Sequence, residues 1–252
     1  MELANRVALV TGGAGGIGAA VARNLAALGA AGVVINYRSS ARQAEELAHE
    51  LGPRALAIRA DVANDDEVRK MVAAVGDRFG RLDLLINNAG VTRWVDLSNL
   101  EGLTDGVWDE ILDVNVKGAF RCARAAAPLL KATSGMIVNV ASISGILAPA
   151  TMSSLAYGTA KAALIYMTRA LAVALAPEVR VNAVAPAFTD TPWMSGHFGA
   201  AYPEIIATAS TAYPLRRIAR PEDVASAIIG LVTGGDFVTG QTLVVDGGLS
   251  LT

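Results

Sequence analysis

Short runs of β-branched residues alternate with longer alanine-rich stretches along nearly the whole chain. The runs with strand character are Val7–Val10, Val33–Asn36, Ala55–Arg59, Leu84–Asn87, Met136–Val140, Val179–Val184 and Thr242–Val245. The stretches with amphipathic helical spacing are Ile17–Leu28, Ala41–Leu51, Asp65–Phe79, Trp108–Leu130, Ala156–Leu175 and Pro221–Leu231. Alternation of this kind is typical of βαβ units. It predicts an α/β fold, a doubly wound parallel sheet of about seven strands with helices on both faces.

The length and the uniform composition of the chain indicate a single domain. Its 252 residues are enough for one large α/β core and few for two. The chain has no low-complexity segment, no Pro/Gly/Ser linker and no internal repeat. The segment Phe188–Ile218 breaks the alternation with Pro, Thr, Ser and aromatic residues. We expect a substrate lid there, the alternative being an ordered surface loop without function.

Composition narrows the class of protein. Apolar residues make up 53% of the chain and charged residues 17%. No stretch approaches the roughly 18 consecutive apolar residues of a membrane-spanning helix, so we expect no membrane partner. Helix faces buried between subunits explain the apolar excess better, and we expect a homotetramer or a homodimer. The net charge of −2 argues against nucleic acid as a partner.

Cysteine and histidine are scarce. Cys122 is the single cysteine, so an intrachain disulfide cannot form. The chain start has too short an apolar run for a secretory signal, and the two observations together predict a cytoplasmic protein. The only histidines, His49 and His197, are far apart in sequence, and nothing in their spacing indicates a metal site.

A glycine-rich turn follows the first predicted strand directly and leads into a helix. Within it, Gly13, Gly15 and Gly18 fit the pattern G-x-G-x-x-G. Glycine allows positive φ, close approach of the backbone to a pyrophosphate and tight packing of helix against strand. The helix start adds free N–H groups and the positive end of its dipole. We therefore expect a dinucleotide to bind here.

The end of the second strand indicates which dinucleotide. An NAD site carries an acidic residue about 20 residues after the turn, bonded to the ribose 2′-hydroxyl. Here no acid follows that strand before Glu45, whereas Arg38 offers a fork for a 2′-phosphate and Ser39 a further donor. The sequence favours NADP(H) over NAD(H). The alternative is that Arg38 is a solvated loop residue.

Tyr157 and Lys161 are four residues apart at the start of a predicted helix, so they share one helix face. A free tyrosine has a pKa of about 10. A nearby ammonium and the positive nicotinamide of oxidised cofactor favour the phenolate, and we expect them to lower that pKa. Tyr157 is then suited to protonate a ketone oxygen or to deprotonate an alcohol.

Further motifs complete a recognisable order along the chain. They are Thr11-Gly12-x3-Gly16-x-Gly18, Asp61-Val62, Asn87-Asn88-Ala89-Gly90, Asn115, Ser142, Tyr157-x3-Lys161, Pro186 and Val245-Asp246-Gly247-Gly248. As an ordered set they resemble the short-chain dehydrogenases/reductases, from Val7 to about Gly248. The resemblance implies a Rossmann-like fold and hydride transfer between a nicotinamide and a small ketone or secondary alcohol.

The resemblance also implies roles for four catalytic residues. Ser142 would hydrogen-bond the reacting oxygen, and Tyr157 would transfer the proton. Lys161 would also hold the nicotinamide ribose. Asn115 would position a water that links Lys161 to a proton relay.

Together, the turn, the second strand and the resemblance define a set of candidate cofactor-binding residues. The set is Gly12, Gly13, Gly15, Gly16, Ile17, Gly18, Arg38, Ser39, Asp61, Val62, Asn88, Ala89, Gly90, Tyr157, Lys161, Pro186, Phe188 and Thr191. Besides Arg38, three members have structural alternatives. Asp61 could serve as a cap, Asn88 could brace the central sheet, and Thr191 could be a turn residue.

The chain departs from the family pattern in three places. Ser142 precedes Tyr157 by fifteen residues instead of about a dozen, and Ser144 by thirteen. We choose Ser142 because it follows a strand directly and Gly145 lies three residues beyond it. The extra residues are then assigned to the loop Leu147–Leu155. The usual Pro-Gly is Pro-Ala at 186–187, and the stretch between residues 90 and 108 is slightly long.

Two substrate classes stay open. The segments NYRSSARQAEEL and VTGQTLVVDGG resemble those of 3-oxoacyl-carrier-protein reductases, yet the expected basic docking cluster is reduced to Arg121, Arg124 and Lys131. Candidate apolar pocket residues, which could equally be core or contact residues, are Trp94, Trp193 and Phe198. A stereoselective carbonyl reductase for bulky hydrophobic substrates is the alternative. Rivals from other classes are a non-catalytic NADP(H)-binding sensor and an epimerase that returns the hydride to its substrate.

Overall fold

The computed structural model describes residues 1–148 and 154–252. Within them, seven strands form one sheet in the order β3-β2-β1-β4-β5-β6-β7, and every neighbouring pair is parallel. The strands are β1 Val7–Val10, β2 Gly32–Tyr37, β3 Ala55–Arg59, β4 Leu84–Asn87, β5 Met136–Val140, β6 Arg180–Pro186 and β7 Thr242–Val245. The predicted fold class and strand number are confirmed, and the predicted strand ends differ by no more than two residues.

Helices cover both faces of the sheet. They are α1 Gly16–Ala27, α2 Ala41–Leu51, α3 Asp65–Phe79, α4 Asp105–Leu112, α5 Ala119–Ala132, α6 Leu155–Ala174, α7 Pro192–Phe198, α8 Tyr202–Ala212 and α9 Pro221–Thr233. Helices α1, α2 and α9 pack on one face, and α3, α5 and α6 pack on the other. Alternate strand residues supply the two cores. In β1, for example, Ala8 and Val10 enter one core while Val7 and Leu9 enter the other.

The helix predicted over Trp108–Leu130 has three parts. Helix α4 continues into a π-helical turn, Asp113–Gly118, and then into α5. A π turn contains one residue more than an α turn, which amphipathic spacing alone does not show.

Helix α3 begins at Asp65 and is capped by the side chain of Asn64. The Asn64 side chain accepts hydrogen bonds from the N–H groups of Asp66 and Glu67. Three acidic residues in the first turn complement the helix dipole. Asp61 lies before this cap, and its Oδ1 accepts from the N–H of Ala63.

Near the amino ends of β1 and β4, Asp83 is fully buried and holds two arginines. Its carboxylate accepts from Arg6 at 2.8 Å, from Arg81 at 2.6 and 2.8 Å, and from the N–H of Val7 at 2.9 Å. Burial raises the pKa of Asp83, but the hydrogen bonds outweigh it, and the pKa lies below its ordinary value. The carboxylate therefore ties together the amino ends of the central strands β1 and β4, at the end of the sheet opposite the site described next.

No helix in residues 1–148 and 154–252 is both long and apolar enough to cross a membrane.

Candidate active site

A cleft of about 680 Å³ opens at the carboxyl ends of the strands. It lies at the switch point between β1 and β4, where the strand order reverses direction and ligands of doubly wound sheets bind. Of the predicted site residues, sixteen of the cofactor set and Ser142 line it. Gly13, Gly18 and Asn115 do not; they pack behind its wall.

The glycine turn has the backbone that its sequence requires. Gly12 and Gly16 have φ of +60° and +51°, a region that other residues rarely enter. A Cβ on Gly18 would lie 2.5 Å from the carbonyl oxygen of Gly12, so helix and turn pack too closely for a side chain. A Cβ on Gly15 would meet nothing within 4 Å. The open space beside Gly15, at the amino end of α1, fits a phosphate group.

Two asparagines hold the turn in place. The Asn88 Nδ2 donates to the carbonyl oxygens of Thr11 and Gly12, both at 3.0 Å. Asn88 thus braces the turn after β1, whereas the structural alternative had it brace the central sheet, and it also lines the cleft. The buried Asn36 accepts from the N–H of Gly12 at 3.3 Å and donates to the carbonyl of Ala60 at 2.9 Å. Sequence analysis missed Asn36, although an amide at the end of an apolar strand was a usable signal.

Arg38 and Ser39 lie on the cleft rim beyond β2, as predicted. Arg38 is about half exposed, and its guanidinium is 4.0 Å from the carboxylate of Asp61. Asp61 and Val62 line the same end of the cleft. This end combines a half-exposed cation with hydroxyl donors, a chemistry that suits a phosphate monoester.

Tyr157, Ser142 and Lys161 meet at the other end of the cleft. The hydroxyls of Ser142 and Tyr157 share a hydrogen bond. The Lys161 Nζ lies over the Tyr157 ring, 5.4 Å from its centre, and donates to the carbonyl oxygen of Val140 at 2.8 Å. Helix α6, whose N-cap is Ser154, presents Tyr157 and Lys161 on one face. The structure brings together the proton-transfer residue, a hydroxyl and an ammonium.

In the chain alone, the pKa of Tyr157 lies above its ordinary value, whereas the lowered pKa was expected with oxidised cofactor beside it. Burial raises it to about 12, and the hydrogen bond from Ser142 opposes this only in part. Burial also lowers the pKa of Lys161 to about 8. Desolvation disfavours the charged form of each group. The chain alone therefore keeps Tyr157 protonated at neutral pH, which is the form that a ketone reduction needs.

Asn115 sits in the π turn, behind the catalytic residues. Its Nδ2 donates to the carbonyl oxygens of Ile111 and Val91, both at 2.8 Å. A Cβ on Gly90 would lie 2.8 Å from the Asn115 Oδ1 and 3.6 Å from the Lys161 Nζ. Glycine at position 90 thus leaves these two polar groups facing a shared space. Among the residues that the structure describes, this buried Oδ1 has no hydrogen-bond partner.

Thr191 closes the cleft above the glycine turn. Its methyl group would be 3.2 Å from a Cβ on Gly16. Its hydroxyl is buried and, within residues 1–148 and 154–252, has no hydrogen-bond partner. As N-cap of α7 it makes no side-chain cap bond, so a turn-capping role does not explain it. Orphaned polar atoms at Thr191 and Asn115, with the open glycine cradle, fit a polar cofactor.

Comparison with known proteins decides the family. A family model described as enoyl-(acyl carrier protein) reductase matches residues 12–250. A protein named as a ketoacyl reductase of the granaticin polyketide synthase from Streptomyces violaceoruber is 44% identical, over 97% of this chain and 96% of its own. A 3-oxoacyl-[acyl-carrier-protein] reductase of Synechocystis is 39% identical over 98% of each. A solved short-chain dehydrogenase/reductase from Burkholderia xenovorans matches with TM-score 0.89 and 33% identity, over 98% of this chain and 99% of that one.

This chain belongs to the short-chain dehydrogenase/reductase family. As a member, it is an oxidoreductase of CH–OH and C=O groups, and its family uses a nicotinamide cofactor. The resemblance stated from the motifs is confirmed. The rival interpretation as a non-catalytic binding protein is wrong.

The three departures from the pattern have structural counterparts in this short-chain dehydrogenase/reductase. Ser142 and Ser144 both line the cleft, and their hydroxyls are 3.2 Å apart. The extra residues assigned to Leu147–Leu155 lie largely outside the described residues. Ala187 does not have a positive φ, so its position does not require glycine. The long stretch before residue 108 brings Trp94 to the cleft.

The predicted lid segment carries α7 and α8 and lies beside the catalytic residues. Trp193, in the first turn of α7, lines the cleft together with Trp94 and Phe188. Phe198, one of the candidate pocket residues, packs behind the cleft wall, with its ring 5.4 Å from that of Trp94. The Tyr202 hydroxyl on α8 donates to Asp190 at 2.7 Å.

Proposed function

We propose that this enzyme is NADP(H)-dependent and interconverts a ketone and a secondary alcohol, with Tyr157 as the proton-transfer group. The observation that carries the proposal is the cluster of Tyr157, Ser142 and buried Lys161 in one cleft with the glycine turn. When bound, the nicotinamide supplies or accepts the hydride at the carbonyl carbon.

Each catalytic side chain has a separate task. In reduction, Tyr157 gives its proton to the ketone oxygen, and the C=O π electrons form the new O–H bond. Ser142 hydrogen-bonds that oxygen and stabilises the charge developing on it. The Lys161 ammonium stabilises the phenolate left behind. Asn115, whose Oδ1 has no hydrogen-bond partner within residues 1–148 and 154–252, would position a water that returns a proton toward Lys161.

The cleft residues divide the cofactor between them. The turn residues Gly12, Gly15, Gly16 and Ile17 would hold the pyrophosphate, with Gly13 and Gly18 shaping the turn from behind. The remaining contacts would follow the cleft: Asp61 and Val62 at the adenine, Asn88, Ala89 and Gly90 along the floor, Tyr157 and Lys161 at the ribose, and Pro186, Phe188 and Thr191 at the nicotinamide.

NADP(H) is favoured because Arg38 and Ser39 lie at the end of the cleft. The ion pair of Arg38 with Asp61 is long, at 4.0 Å, so the guanidinium can also bind a phosphate. Arg38→Ala should raise the Kd for NADPH by roughly 10- to 100-fold, since charge-assisted bonds are lost, and leave that for NADH nearly unchanged. Arg42→Ala is the matched control, because Arg42 is exposed and pairs with Glu46 on the surface of α2. Equal loss of NADPH and NADH binding in Arg38→Ala would refute the 2′-phosphate role.

The reaction itself is tested by NADPH absorbance with a panel of ketones, β-keto thioesters and alcohols. We expect stoichiometric NADPH oxidation with at least one ketone and the reverse reaction with its alcohol. An enzyme that retains its cofactor and inverts a stereocentre without net NADPH turnover would be the epimerase alternative.

Two substrate candidates differ in what supports them. A 3-oxoacyl thioester is supported by relatives that carry that reductase name. A bulky hydrophobic ketone is favoured because the candidate docking bases for a carrier protein are not free. These bases lie on α5, and each of them is ion-paired. Arg121 pairs with Asp113 at 3.4 Å, Arg124 with Asp65 at 2.6 Å, and Lys131 with Glu178 at 3.9 Å. Paired bases attract an acidic carrier protein less than free ones.

The lid role of residues 188–218, the homotetramer or homodimer and the cytoplasmic location stay predictions. The lid is supported by the contact of Trp193 with the cleft. Assembly is supported by exposed apolar side chains on α6, Tyr166 and Val173 among them.

A further inference from the structure

A row of aromatic rings leads away from the reacting hydroxyl. The ring centres of Tyr157 and Trp193 are 6.4 Å apart, and those of Trp193 and Trp94 are 5.8 Å apart. All three side chains line the cleft, and we call them the aromatic row. The row begins at the proton-transfer group, which the substrate carbonyl must contact. The substituent of that carbonyl that points toward Trp193 therefore lies along the row.

A second layer of rings holds the row from outside. His197 stacks on Trp94 with centres 4.2 Å apart and planes 11° from parallel, and Phe198 meets Trp94 edge-on at 5.4 Å. Neither of these outer residues lines the cleft. Trp94 is therefore oriented by the protein itself, which reduces the side-chain ordering that binding would otherwise require.

Trp193 is the exposed member of the row. Nearly half of the residue, 47%, is accessible, although an indole of this size gains much from burial. Its plane is tilted by 56° to the Tyr157 ring and by 50° to the Trp94 ring. Tilted rings at these spacings leave ring faces and edges open to a third aromatic group.

We propose, resting on the function proposed above, that the substrate is a ketone joined to or fused with a flat aromatic ring system, and that Trp193 and Trp94 determine this specificity. A flat ring can stack on or meet the indoles edge-on, a gain beyond that of apolar burial. A linear acyl chain or a saturated ring gains only the free energy of apolar burial. The aromatic row therefore favours the aromatic ketone over both.

The test compares 2-tetralone with 2-decalone, which share a bicyclic carbon skeleton but differ in whether the second ring is aromatic. A linear acetoacetyl thioester completes the panel. The enzyme is assayed with NADPH as wild type and as Trp193→Leu, Trp193→Phe and Trp94→Leu, with thermal unfolding to check each fold. Trp193→Phe keeps a ring and is the matched control.

We expect wild type to prefer 2-tetralone, and Trp193→Leu and Trp94→Leu each to lower its kcat/KM by about 2- to 12-fold relative to that for 2-decalone. Trp193→Phe should retain most of the preference. Equal kcat/KM for the two ketones in wild type, equal losses on both in the leucine variants, or a preference for the linear thioester would overturn the inference while leaving the ketone reductase intact.

If no ketone is reduced, the proposed function fails, and binding still decides the inference. Calorimetric titration of 2-tetralone and 2-decalone into the NADPH complex should then show the same preference and the same loss in Trp193→Leu. Equal affinity for both ketones would overturn it.

Discussion

The Lys161 ammonium lies over the Tyr157 ring, yet the pKa of Tyr157 is raised and that of Lys161 is lowered. Both groups are buried, and desolvation disfavours the phenolate and the ammonium alike. Tyr157 is therefore in its neutral phenol form, which can donate a proton. At neutral pH the lysine, with a pKa of about 8, remains mostly charged beside it.

Removal of the phenol should separate chemistry from binding. Tyr157→Phe should lower kcat by about 10²- to 10⁴-fold, because the proposed proton donor is lost, and leave NADPH binding nearly unchanged. Steady-state kinetics and NADPH fluorescence titration measure the two effects. Tyr166→Phe, on the exposed side of the same helix, is the control. A Tyr157→Phe enzyme with most of its activity would remove this residue from the mechanism.

The two cleft serines should differ in effect. Ser142 shares a hydrogen bond with Tyr157 and accepts one from the N–H of Ser144. Ser142→Ala should lower kcat by about 10²- to 10³-fold, the usual effect of losing a donor to a developing oxyanion. Ser144→Ala should have a much smaller effect. The reverse order in single-turnover rates would transfer the catalytic role to Ser144.

Two glycines of one turn offer a matched pair. A Cβ at position 18 would lie 2.5 Å from the carbonyl oxygen of Gly12 and 2.6 Å from the Asn88 Nδ2, so Gly18→Ala should lower both Tm and NADPH affinity. Gly15→Ala meets no neighbour and has an extended backbone with φ of −162°. It should keep the Tm and weaken NADPH binding alone. Unchanged binding in Gly15→Ala would place the pyrophosphate elsewhere.

The buried Asp83 clamp should make stability depend on acid pH. Because its pKa is lower in the folded protein than in the unfolded chain, Asp83 contributes stability above the ordinary aspartate pKa of about 3.9. That contribution is lost as pH falls through the folded pKa. Asp83→Asn should lower the unfolding free energy by about 3 kcal/mol at pH 7, with a smaller loss at pH 3, as measured by urea denaturation.

The control for this clamp is Asp65→Asn. Asp65 also holds two arginines, Arg69 and Arg124, but all three lie on the surface. The loss of an exposed pair should change stability little. Equal effects of the two substitutions would show that burial is unimportant at Asp83.

Most of the sheet could be predicted from the sequence because its central strands are buried on both faces. Runs such as Val7–Val10 and Met136–Val140 are almost wholly apolar, and helices of period 3.6 separate them. The glycine turn and the Tyr157–Lys161 spacing were readable for a similar reason. Local geometry alone requires those residues at those intervals.

Features that depend on contacts between distant parts of the chain could not be predicted from the sequence. Asn36 joins the turn to β3, a contact that no local spacing shows. The raised pKa of Tyr157 in the chain alone was not predicted, because charge proximity is visible in sequence and the depth of burial is not. Whether Phe198 lines the pocket or packs as a core residue stayed open, because the sequence does not show that Trp94 stands in front of it.

The π turn at Asp113–Gly118 sets the rotational phase between the two ends of a long helix. Helix α4 packs its Ile111 against α6, whereas α5 packs its Cys122 in the core shared with α3. Each residue of a helix advances it by about 100°. Deletion of one residue here would preserve a helix but rotate one end off its support, so the length of this segment is constrained independently of its side chains.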